Sequence, residues 1–110
     1  MSGFMSVNGE PDGMPMRAAP PISDLIAGLY TAFGVACALH ERNAGSPASP
    51  GGVGQWVESS LTGGLISMMA FLSAEYFARG EVPPRTGNDH AIVAPYGLFE
   101  ARDGMIAVAG

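Results

Sequence analysis

The sequence has no lysine, only one cysteine and few charged residues of either sign. All five basic residues among the 110 are arginine, against ten acidic residues, and the formal net charge is −5. Binding to nucleic acid requires clustered cations that neutralise phosphates, so this composition excludes a nucleic-acid partner. Cys37 alone cannot form an internal disulfide, which excludes a disulfide-stapled secreted domain and favours a cytoplasmic location.

Long hydrophobic runs are also missing. The two most apolar uncharged stretches, residues 25–39 and 61–74, are shorter than the roughly 20 residues that span a bilayer. No basic residue precedes a hydrophobic stretch at the N-terminus, so a signal peptide is not expected either. With 47% hydrophobic and 14% charged residues, the composition is that of a chain that buries surface. We therefore expect a folded segment with no membrane partner.

The first half of the chain reads as loop, helix and loop. Residues 8–21 are rich in turn formers, with turns expected at Asn8-Gly9 and Asp12-Gly13. A helix is predicted from about Ser23 to Arg42, with Ser23 or Asp24 as N-cap. Its residues are apolar nearly all round, which predicts burial on several sides. Residues 43–54 have the composition of a flexible loop.

The second half is predicted to contain a strand, a helix and a hairpin. Residues 55–61 are a strand candidate, and apolar residues recur at helical spacing from about Thr62 to Arg79, with Gly80 as a stop. Residues 82–94 look like a linker. Residues 96–101 and 105–109 flank Asp103-Gly104, a dipeptide typical of two-residue hairpin loops. The fold class predicted is therefore α/β.

Few residues are candidates for a catalytic or metal-binding role. Cys37, His40 and His90 lack metal-ligand spacing, and no metal site is predicted. Cys37, among alanines, is most simply a small core residue. Asp24 allows two interpretations: a first-turn acid that stabilises the helix start, or a carboxylate kept ionised by the helix N-terminus and used as a nucleophile. The residues alone do not choose between them.

Five blocks of sequence resemble the family III CoA-transferases, in the family's order. This family includes carnitine, formate and oxalate CoA-transferases and the α-methylacyl-CoA racemases. The blocks are residues 1–13, residues 21–30 (Pro-Ile-Ser-Asp-Leu-Ile-Ala-Gly-Leu-Tyr), residues 54–61 (Gly-Gln-Trp-Val-Glu-Ser-Ser-Leu), residues 87–90 (Gly-Asn-Asp-His) and residues 95–104, from Pro-Tyr-Gly-Leu-Phe to Asp-Gly. The resemblance covers nearly the whole chain.

The resemblance implies an internal segment of a chain several hundred residues long. Residues 1–81 would belong to a large Rossmann-like domain as helix-strand-helix, residues 82–94 would be a linker, and residues 95–110 would begin a smaller α+β domain with its first hairpin. Two full-length subunits of this family interlock like rings, so a homodimer is expected. Residues 1–110 alone are expected to be inactive and to expose apolar surface.

The resemblance also implies roles for individual residues. In the transferases, the aspartate at the position of Asp24 attacks an acyl-CoA to form a mixed anhydride, and an aspartyl-CoA thioester then passes CoA to a carboxylic acid. In the racemases the same position moves a proton at the α-carbon. Gly87, Asn88 and His90 would bind substrate or CoA, although His90 is also explained as a linker histidine that holds the Gly87-Asn88 turn.

The function predicted from this resemblance is that of a CoA-transferase that acts through Asp24. The alternatives are an α-methylacyl-CoA racemase on the same scaffold and a truncated, non-catalytic dimerisation piece. The partners expected for the first are an acyl-CoA and a carboxylic acid. No cofactor is expected, because the coenzyme A thioester is itself the substrate.

Overall fold

The computed structural model describes residues 2–45 and 50–110, which form four helices and one two-stranded sheet. In chain order the elements are α1 (Phe4–Val7), α2 (Ile22–Ala44), α3 (Leu61–Met68), α4 (Ala70–Arg79), β1 (Tyr96–Ala101) and β2 (Gly104–Ala109). The chain divides into two compact units. One contains the residues up to Ala19 together with Met69–Gly110, and the other is Pro20–Met68.

Helix α2 confirms the predicted first helix and begins slightly earlier. Its N-cap is Pro21, which provides no side-chain hydrogen bond, so neither Ser23 nor Asp24 is the cap. The Leu25 N–H donates to the Pro21 carbonyl at 3.1 Å, which places Asp24 inside the first turn. At the other end Gly45, with φ of 63°, donates its N–H to the Glu41 carbonyl and ends the helix.

Helices α2 and α3 pack closely because α3 presents a glycine to α2. Gly64 is buried, and a Cβ built on it would lie 2.8 Å from Cγ2 of Ile26. Ala27, beside Ile26, is the only apolar residue of α2 that is buried in the described structure. The hydroxyl groups of Tyr30 and Ser67 share a hydrogen bond of 2.7 Å between the two helices. Small residues therefore set the distance between α2 and α3.

This contact predicts that valine is tolerated at one helical glycine and not at another. Gly64→Val should lower the free energy of unfolding by about 1–3 kcal/mol, because a branched side chain cannot fit against the β-branched Ile26. Gly28 lies in α2 with no atom within 4 Å of the position that a Cβ would take, so Gly28→Val should change stability by less than about 0.5 kcal/mol. Denaturant titration of the two variants tests the pair, and equal losses would contradict the packing argument.

The predicted helix over residues 62–79 is wrong in one respect, because it is two helices. Helix α3 ends at Met68, and Ala70 has a φ of +40°, a value that a continuous helix does not allow. The Leu72 N–H donates to the Met69 carbonyl at 2.8 Å, as expected for a new first turn. The remaining expectations for this segment are confirmed: Gly80 ends α4 at φ 73°, and Arg79 pairs with Glu75 at 2.8 Å.

The strand predicted over residues 55–61 does not form. Residues 52–60 have no regular secondary structure, and Leu61 already begins α3. A strand exists only through hydrogen bonds to a neighbour, and no strand pairs with residues 52–60 among the described residues. The loop predicted over residues 43–54 begins later than expected, since α2 extends to Ala44; its residues 46–49 lie outside the described structure.

The predicted hairpin is confirmed, with its loop one residue earlier. Strands β1 and β2 pair antiparallel from Tyr96 opposite Ala109 to Ala101 opposite Gly104. The two loop residues are therefore Arg102 and Asp103, and Gly104, with φ of +156°, opens β2. Residues 82–94 contain neither helix nor strand, as predicted for a connecting segment.

Most large apolar side chains of the described residues are exposed, which confirms the expectation for residues 1–110 alone; the burial predicted for the first helix is not seen within this chain. Leu25, Leu29 and Phe33 of α2 are 57%, 65% and 70% exposed, and Cys37, predicted to be in a core, is exposed as well. The reason is that α3 covers only one side of α2 in the described structure. Helix α2 has 23 residues, and an 18-residue window within it has a mean hydropathy of 1.7. It therefore has the length and composition of a membrane span, a test that the core helices of soluble proteins also pass.

Candidate active site

Asp24 is the third residue of α2 and its side chain is exposed. Its carboxylate accepts a hydrogen bond from the neighbouring residue: the Ser23 hydroxyl donates to Oδ2 at 3.1 Å. The N-terminus of a 23-residue helix carries partial positive charge, which favours a carboxylate in the first turn. The Asp24 carboxylate is thus oriented by Ser23 and remains accessible to a reactant.

Gly87 and Asn88 are the central residues of a tight turn. The Asp89 N–H donates to the Thr86 carbonyl at 3.0 Å, and the Thr86 hydroxyl donates to the Asp89 carbonyl at 2.6 Å. Gly87 has a φ of +63°, a conformation that L side chains rarely adopt and that favours glycine at this position. The glycine therefore allows the turn, and the turn exposes Asn88.

His90 is half-buried between two aromatic rings. Its ring stacks on Phe71 of α4 with a centroid separation of 4.9 Å and an interplanar angle of 26°, and Tyr96 lies at 4.9 Å in a tilted arrangement. Its Nδ1 accepts the N–H groups of Ile92 and Val93, both at 3.1 Å. A nitrogen that accepts two hydrogen bonds carries no proton, so the neutral ring is protonated at Nε2. Nε2 is thus the ring nitrogen that can donate to a ligand.

These contacts revise the structural explanation of His90. The side chain binds the backbone that follows it, at Ile92 and Val93, and not the Gly87-Asn88 turn that precedes it. Its backbone N–H donates to the Tyr96 carbonyl at 3.3 Å. His90 therefore organises the segment that leads into β1.

A shallow groove of about 270 Å³ runs beside Asn88 along the start of the hairpin. Its lining residues are Asn88, Tyr96, Gly97, Leu98, Ala107, Val108 and Ala109. A second groove, of about 310 Å³, lies between the C-terminal half of α2 and residues 54–57. Asp24 lines neither groove.

The candidate residues belong to different parts of the molecule. Asp24 lies in the unit Pro20–Met68, whereas Gly87, Asn88 and His90 lie together in the other unit. Within the described residues, no group of three or more histidine, cysteine, aspartate or glutamate side chains could hold a metal ion. The chemistry available at Asp24 is that of a single accessible carboxylate.

Sequence reasoning missed Arg85, whose guanidinium group makes the most extensive side-chain contacts near the turn. Nε donates to the Glu10 carbonyl at 3.1 Å and Nη2 to the Gly13 carbonyl at 2.6 Å. The signal in the sequence was its position, directly between Pro83-Pro84 and the Thr86–Asp89 turn, because two prolines fix the backbone that leads into the arginine.

Comparison with solved structures identifies the class of protein to which this fold belongs. The structure is similar to the crystal structure of a CAIB/BAIF family protein from Brucella suis, with a TM-score of 0.79 and 30% sequence identity, over 98% of this chain and 27% of that chain. The mixed helix-and-strand architecture predicted from the sequence is therefore confirmed at the level of α/β class.

A family model described as CoA-transferase family III matches residues 1–110. The chain belongs to CoA-transferase family III, as its resemblance predicts. It is 32% identical to the succinyl-CoA:mesaconate CoA-transferase of Haloarcula hispanica over 99% of this chain, and 34% identical to the succinate–glutarate CoA-transferase of Agrobacterium fabrum over 99%. It is 33% identical to the succinyl-CoA–D-citramalate CoA-transferase of Chloroflexus aurantiacus over 100%. The chain spans 26% of the length of each of these relatives.

Proposed function

We propose that the protein containing this chain transfers coenzyme A from an acyl-CoA donor to a carboxylic acid acceptor, with Asp24 as the nucleophile. The observation that carries the proposal is the accessible carboxylate in the first turn of α2, in a chain that matches CoA-transferase family III along its whole length. The donor to test first is succinyl-CoA, since several relatives are named for succinyl-CoA or succinate.

The chemistry proposed for Asp24 needs only its carboxylate and the two substrates. The carboxylate attacks the thioester carbonyl, a mixed anhydride forms and CoA thiolate leaves. The thiolate attacks the aspartyl carbonyl of the anhydride, which releases the donor acid and leaves an aspartyl-CoA thioester. The acceptor carboxylate attacks this thioester and displaces the thiolate, which forms a second mixed anhydride between Asp24 and the acceptor. The thiolate then attacks the acceptor's acyl carbon, and the Asp24 carboxylate leaves. No cofactor takes part in these steps.

The helix start supports the return of the carboxylate as a leaving group. The negative charge that returns to Asp24 in the last step lies at the positive end of the α2 dipole. The Ser23 hydroxyl, 3.1 Å from Oδ2, holds one oxygen, and the other oxygen is free to attack. The local geometry therefore orients the Asp24 carboxylate without removing it from solvent.

We assign substrate or CoA contacts to Gly87, Asn88 and His90. The support is that Gly87 lets the turn project Asn88, while the two hydrogen bonds to Nδ1 leave Nε2 of His90 as a donor for a carbonyl or carboxylate. We propose further that the intact protein is a cytoplasmic homodimer of interlocked subunits, with a large Rossmann-like domain and a smaller α+β domain.

The experiment is a CoA-transfer assay on the intact protein that contains this chain. Succinyl-CoA is supplied with single dicarboxylic acids, including glutarate, mesaconate and citramalate, and product acyl-CoA is identified by mass spectrometry. Transfer to at least one acceptor is expected. Exchange of a substrate α-proton with deuterated solvent, without transfer, would overturn the proposal in favour of a racemase.

A further inference from the structure

Arg85 ties the turn that carries Gly87 and Asn88 to a loop near the N-terminus. Besides its bonds to the Glu10 and Gly13 carbonyls, its guanidinium reaches the carbonyls of Ser6 and Pro11, each at 3.5 Å. These four acceptors lie in residues 6–13, more than 70 positions away along the chain, and in the same compact unit as Arg85. The contact therefore joins two segments that chain connectivity leaves far apart.

The loop that Arg85 holds is closed by bonds of its own. The Asn8 side-chain amide donates to the Met16 carbonyl at 2.8 Å, and the Met16 N–H donates to the Asn8 carbonyl at 3.0 Å. A β-turn over Glu10–Gly13, with the Gly13 N–H 3.1 Å from the Glu10 carbonyl, turns carbonyl groups toward Arg85. The loop therefore has a defined conformation, and its backbone carbonyls accept hydrogen bonds from one guanidinium group.

The turn is attached to the same loop two residues after the arginine. The Gly87 N–H donates to the Gly9 carbonyl at 3.0 Å. Arg85 and Gly87 therefore bind residues 6–13 from one short stretch of chain, and the residues beyond it are Asn88 and His90. Any displacement of the Arg85 side chain would release the anchor next to these two residues.

An arginine beside a proposed CoA-binding turn would ordinarily be assigned to a phosphate group. Here the two shortest hydrogen bonds of the guanidinium, from Nε and Nη2, already go to backbone carbonyls. A guanidinium has five N–H donors in a rigid planar fork and can bind several carbonyls at once, whereas a lysine ammonium is a point charge with three. These contacts therefore depend on the planar set of donors that arginine provides more than on its positive charge.

We propose that Arg85 is a positioning residue, which fixes the Thr86–Asp89 turn on residues 6–13 so that Asn88 and His90 meet the acyl-CoA substrate in a set geometry. This inference rests on the proposed function for the role of the turn, but the anchor itself does not depend on it. It predicts that lysine cannot replace Arg85, although lysine would suffice for a phosphate contact.

The test compares Arg85→Lys and Arg85→Met in the intact protein. Both variants should raise the KM for acyl-CoA about 10-fold and alter kcat less than about 3-fold, because the turn is loosened while Asp24 is untouched. The matched control is Arg79→Met, which removes an arginine whose side chain is 70% exposed and pairs with Glu75. Near-normal KM in Arg85→Lys, with a strongly salt-dependent KM in Arg85→Met, would overturn the proposal in favour of a phosphate ligand.

A second measurement needs no catalysis. Hydrogen exchange of the Gly87 amide should be about 10-fold faster in both Arg85 variants, whereas the Gly80 amide, which is bonded to the Tyr76 carbonyl at 2.7 Å, should be unchanged. Unchanged exchange at Gly87 would overturn the anchor even where transferase activity is present. Conversely, faster exchange in a protein without transferase activity would retain the anchor and refute the proposed function. If Arg85→Met does not fold, Arg85→Lys alone decides both readouts.

Discussion

Asp24→Asn in the intact protein should abolish CoA transfer, with a loss of at least about a thousand-fold in kcat. The amide keeps the size of the side chain and its hydrogen bond with Ser23, but it has no nucleophilic carboxylate oxygen. The rate of acyl-CoA consumption in the presence of a carboxylic acid acceptor measures the effect. The matched control is Asp103→Asn, the same chemical change in the hairpin loop, which should leave the rate unchanged.

The same variant should also lose a covalent intermediate. Wild-type protein incubated with acyl-CoA and no acceptor should carry an adduct on the peptide that contains Asp24, because the anhydride and the thioester are both acyl derivatives of its carboxylate. Hydroxylamine should convert the adduct to a hydroxamate on Asp24, visible by peptide mass spectrometry. Transfer that continues in Asp24→Asn, or an adduct on another residue, would contradict the assignment of the nucleophile.

The second large effect is expected at Gly97. This residue is buried, has a φ of +151°, and lies where a Cβ would overlap Oδ1 of Asp89 and stand 3.3 Å from the Asn88 carbonyl oxygen. Gly97→Ala must therefore push the Asp89 side chain aside and shift the Asn88 carbonyl oxygen by a few tenths of an ångström. We expect a loss of about 2–4 kcal/mol in the free energy of unfolding, since backbone strain and a steric overlap add.

Gly104→Ala separates these two costs. Gly104 lies in the same hairpin with a similar φ of +156°, but no atom stands within 4 Å of the position that its Cβ would take. This variant should therefore show only the backbone strain, about 1–3 kcal/mol. Denaturant unfolding of the intact protein measures both, and equal losses would contradict the overlap with Asp89. Gly97→Ala should also raise the KM for acyl-CoA, because Asn88 moves with the turn.

Local sequence signals predicted the elements that are stabilised by local interactions. The hairpin follows from two apolar-rich segments that flank the Asp103-Gly104 dipeptide, and the end of α4 follows from the Glu75–Arg79 spacing and the stop at Gly80. Helix α2 was predicted to within two residues at its C-terminus, because Gly45 and the loop composition follow it. These features need no knowledge of distant residues.

Sequence signals failed where contacts with distant residues determine the structure. Residues 55–61 have strand composition, but a strand needs a partner that composition does not supply. The break at Met69 and Ala70 lies in a run with good helical periodicity, so only its backbone angles reveal it. Arg85 was missed because its acceptors are backbone carbonyls more than 70 residues away, and carbonyls carry no sequence signature. The role of Asp24 came from family resemblance, since position alone also suits a structural acid.

The two-stranded sheet has a practical consequence for anyone who produces this chain. Within the described residues, β1 and β2 pair only with each other, so each has an outer edge whose backbone groups lack a strand partner. Such edges template further strands, and Leu98, Phe99 and Ile106 add exposed apolar surface beside them. Recombinant residues 1–110 should therefore assemble into oligomers or fibrils at high concentration. A lysine or proline introduced on an outer edge would be the first remedy for aggregation during purification.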